Sequence, residues 1–449
     1  MGRADAPPTP PLLQVVPATA RRVLQLGCGD GSVGHHFKAL HPAAQWWGVD
    51  ASAEAVAAAT PRLDRVFHLD LDVADLSVLV GGFDTIVIGD QLQRLRQPQR
   101  VLEALYDLTT AGAQIVCTLP NAGHLSVIER LVAGDISVDV AGLLDAGHVR
   151  PYSPSSAFKL FLDAGWLPHL ALADQVRSEL PQGAFTRHIV QAAQALGLPT
   201  DTALRNLALR EMVIVARKWP MQALAGGGRA LPFSVIVPVN KPWQYELNVG
   251  RSPGLAEVAA DIVCVQGAEN AAAAYAEGAR NARHPWHLFV HQDVYFPVGS
   301  GFAIAQQLGA LDGIDAPVGF AGIASDSGTE RFAGTVIDRT ALFRHAPAAT
   351  GVSIDEFAVG LHRDSALRID PALGWHLWAT DLCLQARQRA GRPVGRIFDV
   401  PLFHNSTTAY TLPPAFHDSA STLLAKHAAL ARVPTLCGLV TREPAAAPA

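Results

Sequence analysis

Three polar residues, His291, Gln292 and Asp293, interrupt the apolar stretch LFVHQDVYF at residues 288–296. A carboxylate directly after a buried run supplies a hard oxygen ligand for a divalent cation. A cation bridging two phosphates is what a diphosphate leaving group calls for. His404, in PLFHNS after another apolar run, is positioned to complete such a site. His291 stays open between three roles: a further ligand, a donor to phosphate, or a packed histidine. A second chemistry-bearing stretch, VLQLGCGDGSVG at 23–34, runs from an apolar segment straight into Gly27, Gly29, Gly31 and Gly34. Glycines there let the chain turn sharply and let a ligand approach without a Cβ in the way. A helix that follows presents free N–H groups and the positive end of its dipole. Asp50 closes the next apolar run, WWGVD, with a carboxylate suited to two ribose hydroxyls. Residues 29–34 also match GxGxxG with an acid about 20 residues on, so a dinucleotide site competes, and a tight turn without a ligand is the plain alternative.

Short apolar runs alternating with helical patterns must position these residues. RVLQL, WWGVD, RVFHLDL, FDTIVIGD, AQIVCTLP and EMVIVARK follow one another from Arg21, which predicts a parallel sheet covered by helices, an α/β fold. RVLEALYDLTTAG has apolar residues at helical spacing and Gly112 as its expected stop. MQALAGGGRALP has no periodicity and reads as a linker. Strand patterns restart with FSVIVPVN, DIVCVQG and HLFVHQDVYF, and TDLCLQARQRAG reads as a helix with Thr380 as cap and Gly391 as stop. The expected organisation is a flexible arm over 1–20, a domain over 21–219, a linker over 220–231, a second domain over 232–438 and a disordered tail over 439–449.

Composition narrows the classes. A chain of 449 residues is too long for one ordinary core. Its 49% hydrophobic and 17% charged content is that of a packed globular protein. With 35 basic and 40 acidic residues the formal charge is −5, which argues against a broad nucleic-acid footprint. Five single cysteines without a CxxC pair suit a reducing compartment and provide no zinc site or disulfide framework. No apolar run reaches the roughly 18–20 residues of a membrane span, and the amino terminus lacks a signal-peptide core, so a cytoplasmic protein is expected.

The glycine loop, Asp50, Asp70 in FHLDLD and the stretch FDTIVIGDQLQRL together resemble class I S-adenosylmethionine-dependent methyltransferases. The likeness is most specific in PNAGHLSVIERLVAGD, GLLDAGHVRPYS and FLDAGW, segments similar to a bacterial methyltransferase family often found with sugar-modifying enzymes, and it spans about residues 20–219. It implies a Rossmann-like domain with Gly27, Gly29 and Gly31 in the cofactor loop, Gly27 and Gly29 beside the methionine part. It also implies Asp50 on the ribose, Asp70 near the adenine amino group and Asp90 beside the methyl-transfer face. Leu92-Gln93-Arg94-Leu95 stands where related sequences commonly carry Leu-Glu-His-Leu, which leaves His148 in HVRPY as the remaining candidate base.

Residues of about 232–410 resemble the GT-A fold of family 2-like glycosyltransferases. FSVIVPVN is similar to their first strand, HQDV to their Asp-x-Asp segment, GWHLWATDLCLQARQRAG to the segment bearing their base, and PLFHNS to the strand bearing their histidine ligand. The resemblance implies a divalent ion, Mn²⁺ or Mg²⁺, on Asp293, His404 and His291. It also implies Asp381 as the base that takes a proton from the acceptor hydroxyl in an inverting displacement. Two departures stand out: His291 occupies the position of the first acid, and CVQGAEN lacks the usual acid pair after the second strand. Asp355 and Glu356, in SIDEFAV, either face the donor sugar or hold a loop. The expectation is therefore a bifunctional transferase using S-adenosylmethionine and a nucleotide-sugar donor on a saccharide or glycoconjugate acceptor, in surface polysaccharide or glycoconjugate synthesis. The rival is a chain in which one domain has lost catalysis and serves as a sugar- or nucleotide-binding scaffold.

Overall fold

Arg22–Leu26 forms β1, and its Val23, Leu24 and Leu26 are fully buried, as an apolar run covered on both faces should be. The computed structural model describes residues 11–139, 142–171, 183–219, 230–326, 329–344, 349–407 and 411–442. The chain divides into two compact units, Met1–Pro220 and Met221–Ala449.

In the first unit, β1 is followed by β2 (Gln45–Asp50), β3 (Arg65–His68), β4 (Phe83–Ile88), β5 (Thr109–Pro120), β6 (Trp166–Ala171) and β7 (Glu211–Lys218). They make one seven-stranded sheet in the order β3-β2-β1-β4-β5-β7-β6. The first five are parallel, and β7 runs antiparallel to both β5 and β6. The order reverses between β2 and β4 on either side of β1, and the carboxyl ends of strands at such a switch point open a crevice for a ligand. The helix Pro98–Leu108 starts on Pro98, whose missing N–H costs nothing there, and turns Val101, Leu102 and Leu105 into the core. The helix Pro154–Asp163 is closed at its start by the reciprocal Ser153–Ser156 cap.

Several expectations need correction. The arm does not extend to residue 20, because Leu12, Leu13 and Val16 pack with Val23 and Trp46 in the core. The amino-terminal residues 1–10 of that arm lie outside the described residues. Gly112 does not stop the helix: the helix ends at Leu108, and Gly112 sits inside β5 with φ +79. The strand β6 is absent from the expected set, since Pro168 weakens its pattern, but at a sheet edge a proline is tolerated.

The second unit is built on β8 (Phe233–Pro238), β9 (Asp261–Val265) and β10 (Trp286–Val290), with β8 parallel to both others. Further strands are β11 (Val294–Tyr295), β12 (Val318–Gly319), β13 (Ala321–Asp326), β14 (Thr329–Asp338), β15 (Ala341–Arg344), β16 (Ala349–Ile354), β17 (Ala358–His362), β18 (Gly395–Ile397) and β19 (Leu402–His404). They form a mixed sheet in the order β11-β19-β14-β13-β16-β18-β12-β17-β10-β8-β9, with β15 on β14. The helix Trp378–Ala390 packs Trp378 and Leu382 into this unit's core and ends on Gly391 at φ +70. Its entry residue is Leu377, left-handed at φ +61, while Thr380 lies inside the first turn and is not the cap. Most of the expected linker, residues 220–229, lies outside the described residues. The tail is ordered further than expected: Gly438–Thr441 pairs with Arg432–Thr435 and buries Val440, and only 443–449 fall outside the described residues. No described helix is long and apolar enough to cross a membrane.

Candidate functional site

In the first unit the N–H groups of Gly27 and Cys28 donate to the Val49 carbonyl at 2.8 and 3.0 Å, folding the loop after β1 against the end of β2. Gly27, Gly29 and Gly31 are left-handed at φ +67, +52 and +79, which is why glycine is needed at each. A Cβ on Gly27 would run into the Gln91 side chain, whereas a Cβ on Gly29 would meet nothing within 4 Å. The loop is therefore a cradle open at Gly29. Gly31 leads into the helix Ser32–Leu40, whose first N–H group, that of Ser32, donates to Asp30 Oδ1 at 3.0 Å.

The Asp50 carboxylate is turned onto this loop: Oδ2 accepts from Gly29 N–H at 2.9 Å and Oδ1 from Ser52 N–H at 2.9 Å. Each oxygen keeps a second lone pair for a ligand hydroxyl. Asp70 lies exposed just beyond β3, its Oδ1 accepting from Asp72 N–H at 2.9 Å. Asp90 lies exposed just beyond β4 and pairs with Arg94 at 2.9 Å. Burial, reinforced by Asp50, pushes the Cys28 thiol up to about 11, so it is no thiolate near neutrality. The residues that separate this chain from the expected Leu-Glu-His-Leu pattern form a tied cluster. Arg94 pairs with Asp145 at 3.2 Å, and the buried Gln93 receives Val149 N–H and Arg150 N–H on its carbonyl at 2.8 and 3.1 Å. His148 Nε2 lies 3.5 Å from Gln93 Nε2 and 3.8 Å from Asp90 Oδ1. The segment 145–150 is thus held to the turn after β4, a link with no local signal in the sequence.

In the second unit His291, Gln292 and Asp293 join β10 to β11. Gln292 has a positional role: its Oε1 accepts from Asn240 N–H and Lys241 N–H at 3.0 and 2.9 Å, fixing the loop after β8. His291 and Asp293 meet His404, because Val294 in β11 stands opposite His404 in β19. Among the described residues these three offer ligand atoms all within 4.8 Å of one another. Asp293 is 7% exposed, and its Oδ1 lies 3.5 Å from His404 Nε2 yet is buried without a hydrogen bond of good geometry. A buried carboxylate oxygen left over beside two imidazoles fits a divalent cation. Burial raises the Asp293 carboxyl, but the charge and close approach of His404 and the charge of His291 outweigh it and hold it at about 2. Burial lowers the His404 imidazole, but Asp293 and Asp338 outweigh that and raise it to about 10. Phe357 stacks on His404 with centroids 5.3 Å apart, and its carbonyl accepts from His291 N–H at 2.9 Å.

Asp381 is not placed as a base. It is wholly buried, with His427 Nε2 at 2.7 Å on one oxygen and Lys426 Nζ at 2.8 Å and Gln385 Nε2 at 2.7 Å on the other. Lys426 also pairs with Asp370 at 2.7 Å, so Asp381 is the inner acid of a structural ion-pair cluster. A different carboxylate adjoins the cluster: Glu356, whose Oε1 is buried without a partner, precedes Phe357, which accepts from His291 N–H and stacks on His404. Burial, reinforced by Asp355, pushes the Glu356 carboxyl up to about 8. Asp338, whose Oδ1 lies 3.0 Å from His404 Nδ1, is absent from the sequence reading, although an acid at the end of an apolar strand is the same signal that singles out Asp293.

Residues 24–115 match the family model described as a methyltransferase domain. An uncharacterized protein of Synechococcus sp. is 34% identical over 97 residues, 20% of this chain and 23% of that protein. A trans-aconitate 2-methyltransferase of Deinococcus radiodurans is 27% identical over 136 residues, 30% of this chain and 52% of its own length. The matches thus span about a quarter and about half of these relatives. Among solved structures, a SAM-dependent methyltransferase from Archaeoglobus fulgidus aligns at 16% identity with a TM-score of 0.32, covering 45% of this chain and 87% of that one. The family match over 24–115 falls on β1 to β5 and on the glycine loop. The amino-terminal unit has a Rossmann-like α/β sheet, and its residues 24–115 are similar to a methyltransferase domain.

Proposed function

We propose that this chain is a bifunctional transferase whose amino-terminal unit transfers a methyl group from S-adenosylmethionine. The observation that carries the reading is the Asp50 carboxylate turned onto the open left-handed glycine loop. Bound there, S-adenosylmethionine supplies an already activated methyl group. Gly27 and Gly29 would lie beside the methionine part, Asp50 would accept from the ribose hydroxyls, Asp70 would take the adenine amino group and Asp90 would border the acceptor. Holding an acceptor oxygen or nitrogen in line accounts for most of the catalysis. Calorimetry on the full chain tests this: S-adenosylmethionine binds and NAD does not. NAD bound with S-adenosylmethionine ignored would transfer the site to the dinucleotide class.

For the carboxy-terminal unit the proposal is a GT-A-like domain that binds a nucleotide-sugar and passes the sugar to a saccharide or glycoconjugate in surface polysaccharide synthesis. Support comes from the buried Asp293 oxygen beside His291 and His404 at the end of a parallel strand. Those residues would hold a divalent ion, whose chemistry there is neutralisation of a diphosphate as it leaves. Asp293→Ala is expected to abolish metal-dependent nucleotide binding while leaving S-adenosylmethionine binding intact. The sealed position of Asp381 favours a second reading, in which this unit binds a nucleotide-sugar without transferring it. A radiolabelled donor that binds and is never turned over, across hydroxyl acceptors of several saccharide classes, selects that reading.

A further inference from the structure

We propose that His291, Asp293 and His404 form a three-ligand site of two imidazoles and one carboxylate that takes a first-row transition ion in strong preference to Mg²⁺. This rests on the metal-dependent reading of the same cluster and adds which ion it selects and why. Mg²⁺ demands oxygen ligands in near-ideal octahedral geometry and sheds water reluctantly, whereas imidazole suits later, softer ions. Only Asp293 in the cluster supplies oxygen.

The geometry makes His291 a ligand and not a bystander. Its ligand atom lies within 4.8 Å of those of both Asp293 and His404, close enough for one ion about 2.0–2.2 Å from each after small side-chain rotations. All three backbones are fixed. His291 N–H bonds Phe357, Asn405 N–H bonds the Asp293 carbonyl at 2.9 Å, and His404 lies in β19 between β11 and β14. With one carboxylate among the three ligands, a divalent ion and those ligands would carry a net charge of +1, where two acids would leave 0. A diphosphate is therefore attracted more strongly than it would be to a pair of acids with the same Asp338 behind His404. Three protein ligands also leave coordination positions open for phosphate oxygens.

The test uses the full chain freed of metal with a chelator and titrated with Co²⁺, Mn²⁺ and Mg²⁺ alone. Co²⁺ is expected to bind one-to-one with visible d–d absorption and more than ~100-fold tighter than Mg²⁺. His291→Asn weakens Co²⁺ by more than the ~10–100-fold that loss of an outer partner costs, and His291→Asp narrows the Co²⁺/Mg²⁺ ratio. A measurement free of mutants uses Cu²⁺ electron paramagnetic resonance of the wild type, where hyperfine structure from two nitrogens is expected and from one overturns the proposal. If Co²⁺ binds wild type and His291→Asn alike while Asp293→Ala abolishes it, the metal reading stands and this inference falls. If no ion binds the wild type, both fall.

Discussion

Nδ1 of His404 lies 3.0 Å from Oδ1 of Asp338, while its other ring nitrogen, Nε2, faces Asp293 at 3.5 Å. The pairing is set by strand register, since Asp338 ends β14 directly beside His404 in the parallel neighbour β19. Asp338 is itself held by Arg339 at 2.8 Å, and Arg339 N–H donates to the His404 carbonyl at 2.9 Å. A carboxylate that accepts a hydrogen bond from Nδ1–H keeps Nε2 aimed at the cluster and makes it a better ligand. Asp338→Ala is therefore expected to weaken Mn²⁺ binding by about 10–100-fold with the fold intact, and Asp338→Asn by less. A Mn²⁺ titration followed by electron paramagnetic resonance reads this directly, and equal affinity in all three proteins would leave Asp338 with no part in orienting the ring.

The Asp50 carboxylate pins the glycine loop and, in the proposed function, also meets the cofactor ribose. Asp50→Ala removes the acceptor for Gly29 N–H and for Ser52 N–H as well as that proposed contact. The expected loss of S-adenosylmethionine affinity is about 2–3 kcal/mol by calorimetry. Asp50→Asn, which keeps one carbonyl oxygen, should lose less. An Asp50→Ala protein that binds as tightly as wild type would rule out the ribose contact.

The difference between what is legible in sequence and what is not follows contact range. The glycine loop, Asp50 and the His291–Asp293 segment can be read because strand, turn and polar end are consecutive in the chain. His404 can be paired with them only as another strand end, since the β11–β19 register that joins them is a tertiary fact. The partners of Asp381, Lys426 and His427, come from the far end of the unit, and an acid in a first helical turn looks the same whether it faces a ligand or a buried lysine. The same limit hides the Arg94–Asp145 link and Asp338.

His287 supplies a pH dependence with a definite sign. It is fully buried in β10, with Tyr275 Oη at 3.0 Å from Nδ1, and faces Arg363, His362 and Asp261, with an additional backbone hydrogen bond at His284. Burial first, then Arg363, hold its folded value down at about 4 against an ordinary value of 6.5. Between those values the unfolded chain binds the proton and the folded one does not, so stability rises with pH there. The contribution is complete above about 6.5 and is lost as pH falls through about 4, amounting to about 3 kcal/mol. Glu356, raised to about 8, contributes a slope of opposite sign in this range, so the measurement is a difference between proteins. From pH 5 to pH 7 the urea midpoint of the second unit should gain less in His287→Gln than in wild type. Parallel midpoints in the two proteins would remove His287 as the source.

The buried acid at the start of the helix Trp378–Ala390 separates a structural role from a catalytic one. Asp381 and His427 are both sealed from solvent, and Lys426 reaches Asp381 from an about one-third exposed position. Asp381→Asn leaves the side-chain shape but removes the charge that balances Lys426 and one of the two carboxylate oxygens that bond Lys426 and His427. Breaking a buried pair from one side costs about 3–5 kcal/mol. The expected outcome is a lowered urea midpoint for the second unit with Mn²⁺ affinity unchanged, because none of the three cluster ligands bonds Asp381. Glu356→Gln should behave in the opposite way. It replaces a carboxyl already pushed up to about 8 with a neutral amide, so stability near pH 7 should hold or rise. If the unit transfers sugar, turnover should fall in Glu356→Gln while donor binding survives. A stable Asp381→Asn protein that binds donor and has lost turnover would return the base to Asp381, and an opening of its buried cluster on donor binding would then be required.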